Sequence, residues 1–381
     1  MADELWRQSA TTLAELIRSK QTSCQEVVES HLGRIEAVND TLNAITVVLA
    51  DSALAAAAEA DRREPTGRLH GVPFTIKENI DCLDSATTRG VPALADSMPS
   101  VDAPVVARMK AAGAIPLGRT NLSELGMRIT TDNPLHGRTL NPWHADRTPG
   151  GSSGGEASAL ASGMSPLGLG NDIGGSVRNP AFCCGVASLK PSTGRIPHAS
   201  SIPPEDSRLA TQLLLAEGPI ARHVKDLRLA YETLSGRDSR DPQSTDAPLY
   251  GPDVKKRAAI VTDIPGVELP QSTRDALLQA ATALEEMGWE TVEIQPPELA
   301  HVHEVWMHHL SADFKPLLGD MSVVMTEAPL EFLRLLCERN DPDTVGLANI
   351  HAERNRLSRL WSEFFTANPI MVGPTWTGPQ F

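Results

Sequence analysis

At 381 residues, 41% of them hydrophobic, the chain has ample material for a buried core, which argues against a disordered protein. The 48 Asp and Glu outnumber 34 Lys and Arg, and the net charge of −14 disfavours a nucleic-acid partner, because phosphate contacts need clustered cations. Five cysteines without CxxC spacing argue against a zinc ribbon or a disulfide framework and fit a reducing cytoplasm.

The start, MADELWRQSATTLAELI, is acidic and amphipathic rather than leader-like, and no segment reaches the ~20 apolar residues of a membrane span. Residues 11–62 carry apolar positions at helical spacing (Leu13, Leu16, Ile17; then Val27, Val28, Leu32, Ile35), which predicts two or three helices. VPFTIK (72–77), entered through Gly71, reads as the first strand. A helix at 103–112 and a strand at 114–117 follow, the alternation of an α/β fold. A small-residue helix at 154–163, a buried strand at 166–169 and a helix at 224–234 continue it. The Pro/Gly/Asp-rich stretch 236–253 reads as a surface excursion. Beyond it lie a strand at 258–262, a helix at 272–287, a strand at 291–294, a mostly helical 298–365 and a last strand at 370–373.

Two glycine-serine loops stand out: GGSSGG (150–155) and GNDIGGS (170–176). Neither has the Lys of a P-loop, and GLGNDIGG does not match GxGxxG, so phosphate cradling is not supported. Gly150, Ser152 and Gly154 satisfy G-x-S-x-G as a string, yet no strand runs into them and nothing marks His198 or His223 as a partner base. His301, Glu304 and His308 share one face of a predicted helix, but HEVWMH is not HExxH, and a polar helix face is the commoner outcome.

The run GGSSGGEASALASGMSPLGLGNDIGGSVRNPAFCCGVASLKPSTGR resembles the signature segment of the amidase signature family of serine hydrolases. GVPFTIKEN (71–79) is similar to that family's lysine-bearing segment, and the likeness covers about the first 236 residues well and the remainder loosely. The resemblance implies a single α/β domain over 1–381 with a central mixed, twisted β-sheet covered by helices: N-terminal helices 1–65, catalytic core 66–236 and a more variable substrate-side region 237–381. Family members usually continue past a segment like NPIMVGPTWTGPQF, so a C-terminal part that stops short is expected.

By the same resemblance Ser176 is the nucleophile, Ser152 a bridging serine on a cis peptide bond and Lys77 the base. The chemistry is coherent on its own terms: serine needs a proton acceptor, and a lysine ending a buried strand can lose its charge by desolvation. The N–H groups of Ile173, Gly174, Gly175 and Ser176 are then expected to form the oxyanion hole. Asp172 and Arg178 are read as an ion pair shaping that loop, Ser153 as hydrogen-bonded near the triad, and Gly126, Met127 and Asn171 as bordering the substrate. Glu78 and Asn171 stand where the family more often has Asp and Thr.

The implied activity is hydrolysis of a small-molecule amide through an acyl-enzyme, with ester or carbamate (urethanase-type) cleavage as a side activity. No metal or organic cofactor is implied, neither nucleic acid nor membrane is expected as a partner, and a homodimer is compatible. Two rival readings are a glutamine-hydrolysing component of a tRNA-dependent amidotransferase and a catalytically impaired homologue acting as a binding protein.

Overall fold

The computed structural model describes residues 2–340 and 343–378; Phe381, where the sequence ends, lies outside the described residues. Helix α1 (Ala10–Arg18) starts at Ser9, whose side chain accepts from Thr12 N–H. Its N-terminus also docks on Asp226, which accepts from Ala10 N, Thr11 N and Thr11 Oγ1 at 3.1, 2.8 and 2.6 Å. Helix α2 (Cys24–Leu42) opens with a complete Ser23/Glu26 capping box and stops at Asn43, whose left-handed φ of 49° ends the helical run.

The chain then turns extended over β1 (Ile45–Val48), inside the stretch expected to be helical. The β-branched run ITVV suits a pleated edge better than a helix interior. Next come α3 (Ala50–Asp61), β2 (Pro73–Lys77), α4 (Pro104–Ala111), β3 (Ile115–Thr120), α5 (Gly154–Ala161), β4 (Leu167–Asp172), α6 (Arg178–Cys184), β5 (Ala187–Ser188), α7 (Leu209–Leu214), β6 (Ala216–Ala221) and α8 (Val224–Leu234). The last third supplies β7 (Arg257–Ile260), α9 (Gln271–Glu286), β8 (Glu290–Glu293), α10 (Leu299–Phe314), α11 (Leu318–Val324), α12 (Glu327–Arg339), α13 (Thr344–Ala367) and β9 (Ile370–Val372).

These elements form two compact units. One takes the chain up to Ala247 together with Ser322–Pro329, the other Pro248–Met321 and the chain from Leu330 on. The passage between them falls within the stretch 236–253 marked by its turn-forming residues. The first unit holds the mixed central sheet expected from the sequence, in the order β1-β3-β2-β4-β6-β5. Strands β3, β2 and β4 run parallel and the others pair antiparallel. The second unit holds a three-stranded parallel sheet, β8-β7-β9.

The core of the first unit is continuous from Leu13 and Val27 through Phe74, Ile76 and Leu117 to Leu167, Leu169 and Leu229. Strand β2 is buried at all five positions, so the apolar run that marks it has helices and strands to pack on from every side. Short α5, by contrast, is built of small residues because it lies hard against the sheet. A Cβ on Gly155 would stand 2.4 Å from the Asn121 carbonyl oxygen, closer than any side chain tolerates. Among the described residues no helix is long and apolar enough to cross a membrane.

Candidate active site

Strand β2 delivers Lys77 into the interior with no exposed surface. Its Nζ donates to Ser152 Oγ at 2.7 Å and to Asn171 Oδ1 at 2.9 Å. Burial strips water from the ammonium and pulls its pKa from the usual lysine value down to about 7, against the opposing pull of Glu217, Asp172 and Glu156. Near neutrality, therefore, much of Lys77 is a free amine able to take a proton.

Ser152 is 2% exposed and follows a cis peptide bond at Gly151-Ser152. The loop around it is pinned from both sides. Asn179 Oδ1 accepts from Gly151 N at 3.2 Å, Thr131 Oγ1 donates to the Gly150 carbonyl at 2.9 Å and accepts from Gly154 N at 3.0 Å, and Ser123 N donates to the Ser152 carbonyl at 3.2 Å. Ser153 contributes through its backbone, whose N–H donates to the Ser176 carbonyl at 3.1 Å. Its hydroxyl, expected to bond near the triad, is buried close against Gly170 and has no partner among the described residues.

Ser176 lies half-buried at the end of the loop that leaves β4, beside the exposed Gly174. Among the described residues its hydroxyl makes no hydrogen bond, so it stands free to meet a ligand. The loop is wound around the fully buried Asp172 carboxylate. Asp172 accepts from Gly175 N at 2.8 Å and Val177 N at 3.1 Å, and from Arg178 Nη2 and Nε at 2.8 and 3.0 Å. Desolvation works against the Asp172 charge, but the Arg178 guanidinium and these backbone donors outweigh it and hold the carboxyl below its usual range.

The ion pair read from the sequence is thus assembled. Within the loop 173–176 expected to supply the oxyanion donors, Gly175 spends its N–H on Asp172, while among the described residues those of Gly174 and Ser176 donate to no acceptor. Gly175 adopts φ 118°, a conformation that side-chain-bearing residues rarely take, and this turn lets Asp172 gather the loop.

Asn171 is 5% exposed and faces the lysine. Its Oδ1 accepts from both Lys77 Nζ and Asn79 Nδ2, and its Nδ2 donates to Asn79 Oδ1 at 3.1 Å. Expected to border the substrate, Asn171 thus also holds the lysine, its amide bonding Lys77 at one end and Asn79 at both. Gly126 lies beside the bridging serine: a Cβ built there would come 3.5 Å from Ser152 Oγ, and Met127 follows it, half-buried. The turn carrying them is tied by the buried Glu124, which accepts from Thr326 N at 2.7 Å and Thr326 Oγ1 at 2.5 Å. Glu78 is fully buried and accepts from Thr46, Thr88 and His136, three donors on three separate segments.

Other groups near the lysine carry no mark in the sequence. Glu156 on α5 is fully buried, accepts from Thr75 and from Thr120 Oγ1 at 2.7 Å, and is pushed up to about 7 by loss of solvent. Glu217 on β6 pairs with His198 at 2.7 Å. A buried carboxylate is visible in sequence only through the strand or helix that buries it, and β6 itself was not predicted.

The helix-face triplet of the second unit does not assemble. His301 bonds Glu304 and Glu353, whereas His308 Nδ1 turns to the Glu304 carbonyl. Glu298, His301 and Glu353 bring ligand-type atoms within 4.8 Å of one another, but Arg356 bonds both carboxylates, as a structural ion-pair cluster would have it.

Comparison with known proteins bears on this geometry. A model of the Amidase family matches residues 26–346. An indoleacetamide hydrolase of Bradyrhizobium diazoefficiens is 40% identical, the match covering 98% of this chain and 73% of that protein. The A-type component of a glutamyl-tRNA(Gln) amidotransferase from a Sulfurihydrogenibium species is 34% identical over 80% of this chain and 64% of that one. The solved structure of a 6-aminohexanoate cyclic dimer hydrolase complexed with substrate superposes with a TM-score of 0.84 at 27% identity, covering 99% of this chain and 81% of the other.

Proposed function

The chain belongs to the Amidase family, and on that footing we propose that it hydrolyses the C–N bond of a small-molecule amide with Ser176 as nucleophile, Ser152 as proton relay and Lys77 as base. The observation that carries this reading is the 2.7 Å bond between the fully buried Lys77 and Ser152, whose loop is latched to Ser176 by the Ser153 N–H. With the amine neutral, the same contact lets the Ser152 hydroxyl donate to Nζ. As Ser176 Oγ bonds to the substrate carbonyl carbon, its proton passes to Ser152 and that of Ser152 to Lys77. The oxyanion so formed is met by N–H groups of the loop 173–176. When the C–N bond breaks, the proton returns through Ser152 to the leaving nitrogen, and water then repeats the sequence on the acyl-enzyme.

The same steps serve an ester or a carbamate, since only the leaving group changes. The indoleacetamide hydrolase suggests an arylacetamide as the first substrate to try. The five cysteines, all buried and none in a disulfide among the described residues, fit a reducing cytoplasm.

The amidotransferase relative favours a second reading, glutamine hydrolysis within a complex. One experiment separates the alternatives. The isolated protein is treated with a fluorophosphonate and assayed against arylacetamides, anilides, aryl esters, carbamates and glutamine. A Ser176 adduct by mass spectrometry, absent in Ser176→Ala, with turnover of aryl amides, is the expected result. A folded protein that forms no adduct would sink the hydrolase reading, and turnover of glutamine alone would favour the amidotransferase.

A further inference from the structure

Three carboxylates act through charge to favour the protonated form of Lys77: Glu217 from β6, Asp172 from β4 and Glu156 from α5. Two of them are already answered. Asp172 is neutralised by Arg178 and by backbone donors, and Glu156 accepts two threonine hydroxyls and holds its own proton up to about neutrality.

Glu217 differs in each respect. It stands directly opposite Asn171 in the β4–β6 ladder, and cross-strand partners share a face, so its carboxylate lies beside the amide that grips Lys77 Nζ. Its Oε1 is bonded to His198 Nδ1 at 2.7 Å, while Oε2 is buried with no partner. The pair therefore carries a charge of zero or minus one according to whether His198 holds its second proton. His198 is itself tied by its backbone N–H to Asp241 Oδ2 at 3.0 Å. It lines a cavity of about 340 Å³ together with Ser200, Gln212 and Arg240, so protons reach it from solvent without passing the active site. Burial alone would lower the His198 pKa; Glu217 and then Asp241 outweigh that and the nearby Arg89, leaving it raised.

Building on the hydrolase reading, we infer that Glu217 and His198 form an electrostatic regulator of the base, in which Glu217 favours the protonated form of Lys77 and a charged His198 relieves that effect. Both are positioning residues; neither touches the reacting atoms. The signs follow directly. Removing the anion disfavours the Lys77 ammonium, so in Glu217→Gln the rising limb of kcat against pH moves to lower pH, by on the order of one unit. Removing the cation leaves Glu217 uncompensated, so in His198→Gln the limb moves to higher pH. In the double variant the His198 change no longer moves the limb, because it acts only through Glu217.

The experiment is a set of pH–rate profiles on an amide for wild type, both single variants and the double, with thermal melts to show that each is folded. Opposite displacements in the single variants, lost in the double, support the inference. Limbs that coincide with wild type, or that both move the same way in folded protein, overturn it; should Glu217→Gln not fold, His198→Gln alone still decides by direction. A wild type that turns over no amide, or whose limb survives in Lys77→Ala, instead defeats the hydrolase reading on which this rests.

Discussion

The two serines of the site occupy contrasting surroundings. Ser152 is 2% exposed and sits in a dry network with Lys77, Asn171 and Asn79, every contact of which is made in the resting protein. Ser176 is half-buried on a loop with an exposed glycine and with backbone donors left unspent. The difference divides the work. In the proposed mechanism, proton handling is pre-organised where low dielectric keeps the lysine near neutrality, and acyl handling is left open where a substrate would enter. The loop keeps its shape without being sealed, because Asp172 lies beneath it and anchors it from the buried side.

The largest effect should come from breaking the dry side. Lys77→Ala removes the only proton acceptor that Ser152 has in the network, and kcat on an amide is expected to fall on the order of 10³-fold, within the range for a lost general base. Folding measured by thermal melting should be retained, since a buried ammonium is costly to hold and its loss is tolerated. A variant with wild-type kcat would show that proton transfer is carried elsewhere. Breaking the open side instead, Asp172→Asn uncouples Arg178 and weakens the acceptor for two loop N–H groups. We expect about 1–3 kcal/mol lower stability, less than a fully buried pair because Arg178 is nearly half exposed. The carboxyl of Asp172 is held below its usual range, so its contribution is fully present above the ordinary aspartate pKa and is lost as pH falls from there through the lower pKa of the folded state. In urea melts the difference between wild type and variant should therefore be greatest at pH 7 and shrink as the pH is lowered below the ordinary aspartate range.

Much of this division was legible in the sequence, for stated reasons. A buried apolar strand ending in Lys77 is visible because VPFTIK has, apart from Thr75, no polar residue until its last letter, and the two glycine-serine loops are visible by resemblance. The Asp172 and Arg178 pair lies within one loop, so local spacing found it. What escaped is whatever depends on strands meeting across the chain. β4 runs to Asp172 rather than to residue 169, and that extension puts Asn171 on the strand with its amide bonded to Lys77. β6 was missed because AEGPIA reads as a turn; Pro219 is accommodated since it need only accept, as it does from Leu189 N at 3.1 Å. With β6 unseen, Glu217 and His198 had no place beside the site. Glu124 and Thr326 are 202 residues apart, and no local pattern announces such a contact.

Asn171 offers a smaller test of the dry side. In Asn171→Leu, Lys77 keeps only Ser152 as a hydrogen-bond partner and Asn79 loses its own, so the amine is less firmly aimed. The loss of a hydrogen bond to a charged group costs about 1.5–3 kcal/mol, and a tenfold to hundredfold drop in kcat with little change in KM is expected. A rise in KM at constant kcat would favour the substrate wall, where the sequence had placed Asn171.

The last effect falls on stability rather than on turnover and concerns a buried carboxyl beside the dry side that takes no part in the proposed chemistry. Glu156 is fully buried, bonded to Thr75 and Thr120, and raised by desolvation to about 7, so the folded protein holds its proton where the unfolded chain, with an ordinary glutamate, gives it up. Protonation therefore favours folding: the group costs nothing below about pH 4.5, where both states are protonated. From there to about pH 7 the unfolded chain binds fewer protons, and stability declines by at most about 1.4 kcal/mol per pH unit. Glu156→Gln keeps the shape and most of the hydrogen bonding while removing the titration. Wild type and variant should run parallel below about pH 4.5 and diverge between pH 4.5 and 7, the variant becoming relatively more stable. Curves parallel throughout that window would mean that Glu156 stays ionised in the folded protein. The interior around Lys77 would then be wetter than its geometry implies, and the contrast between the two serines would rest on the loop alone.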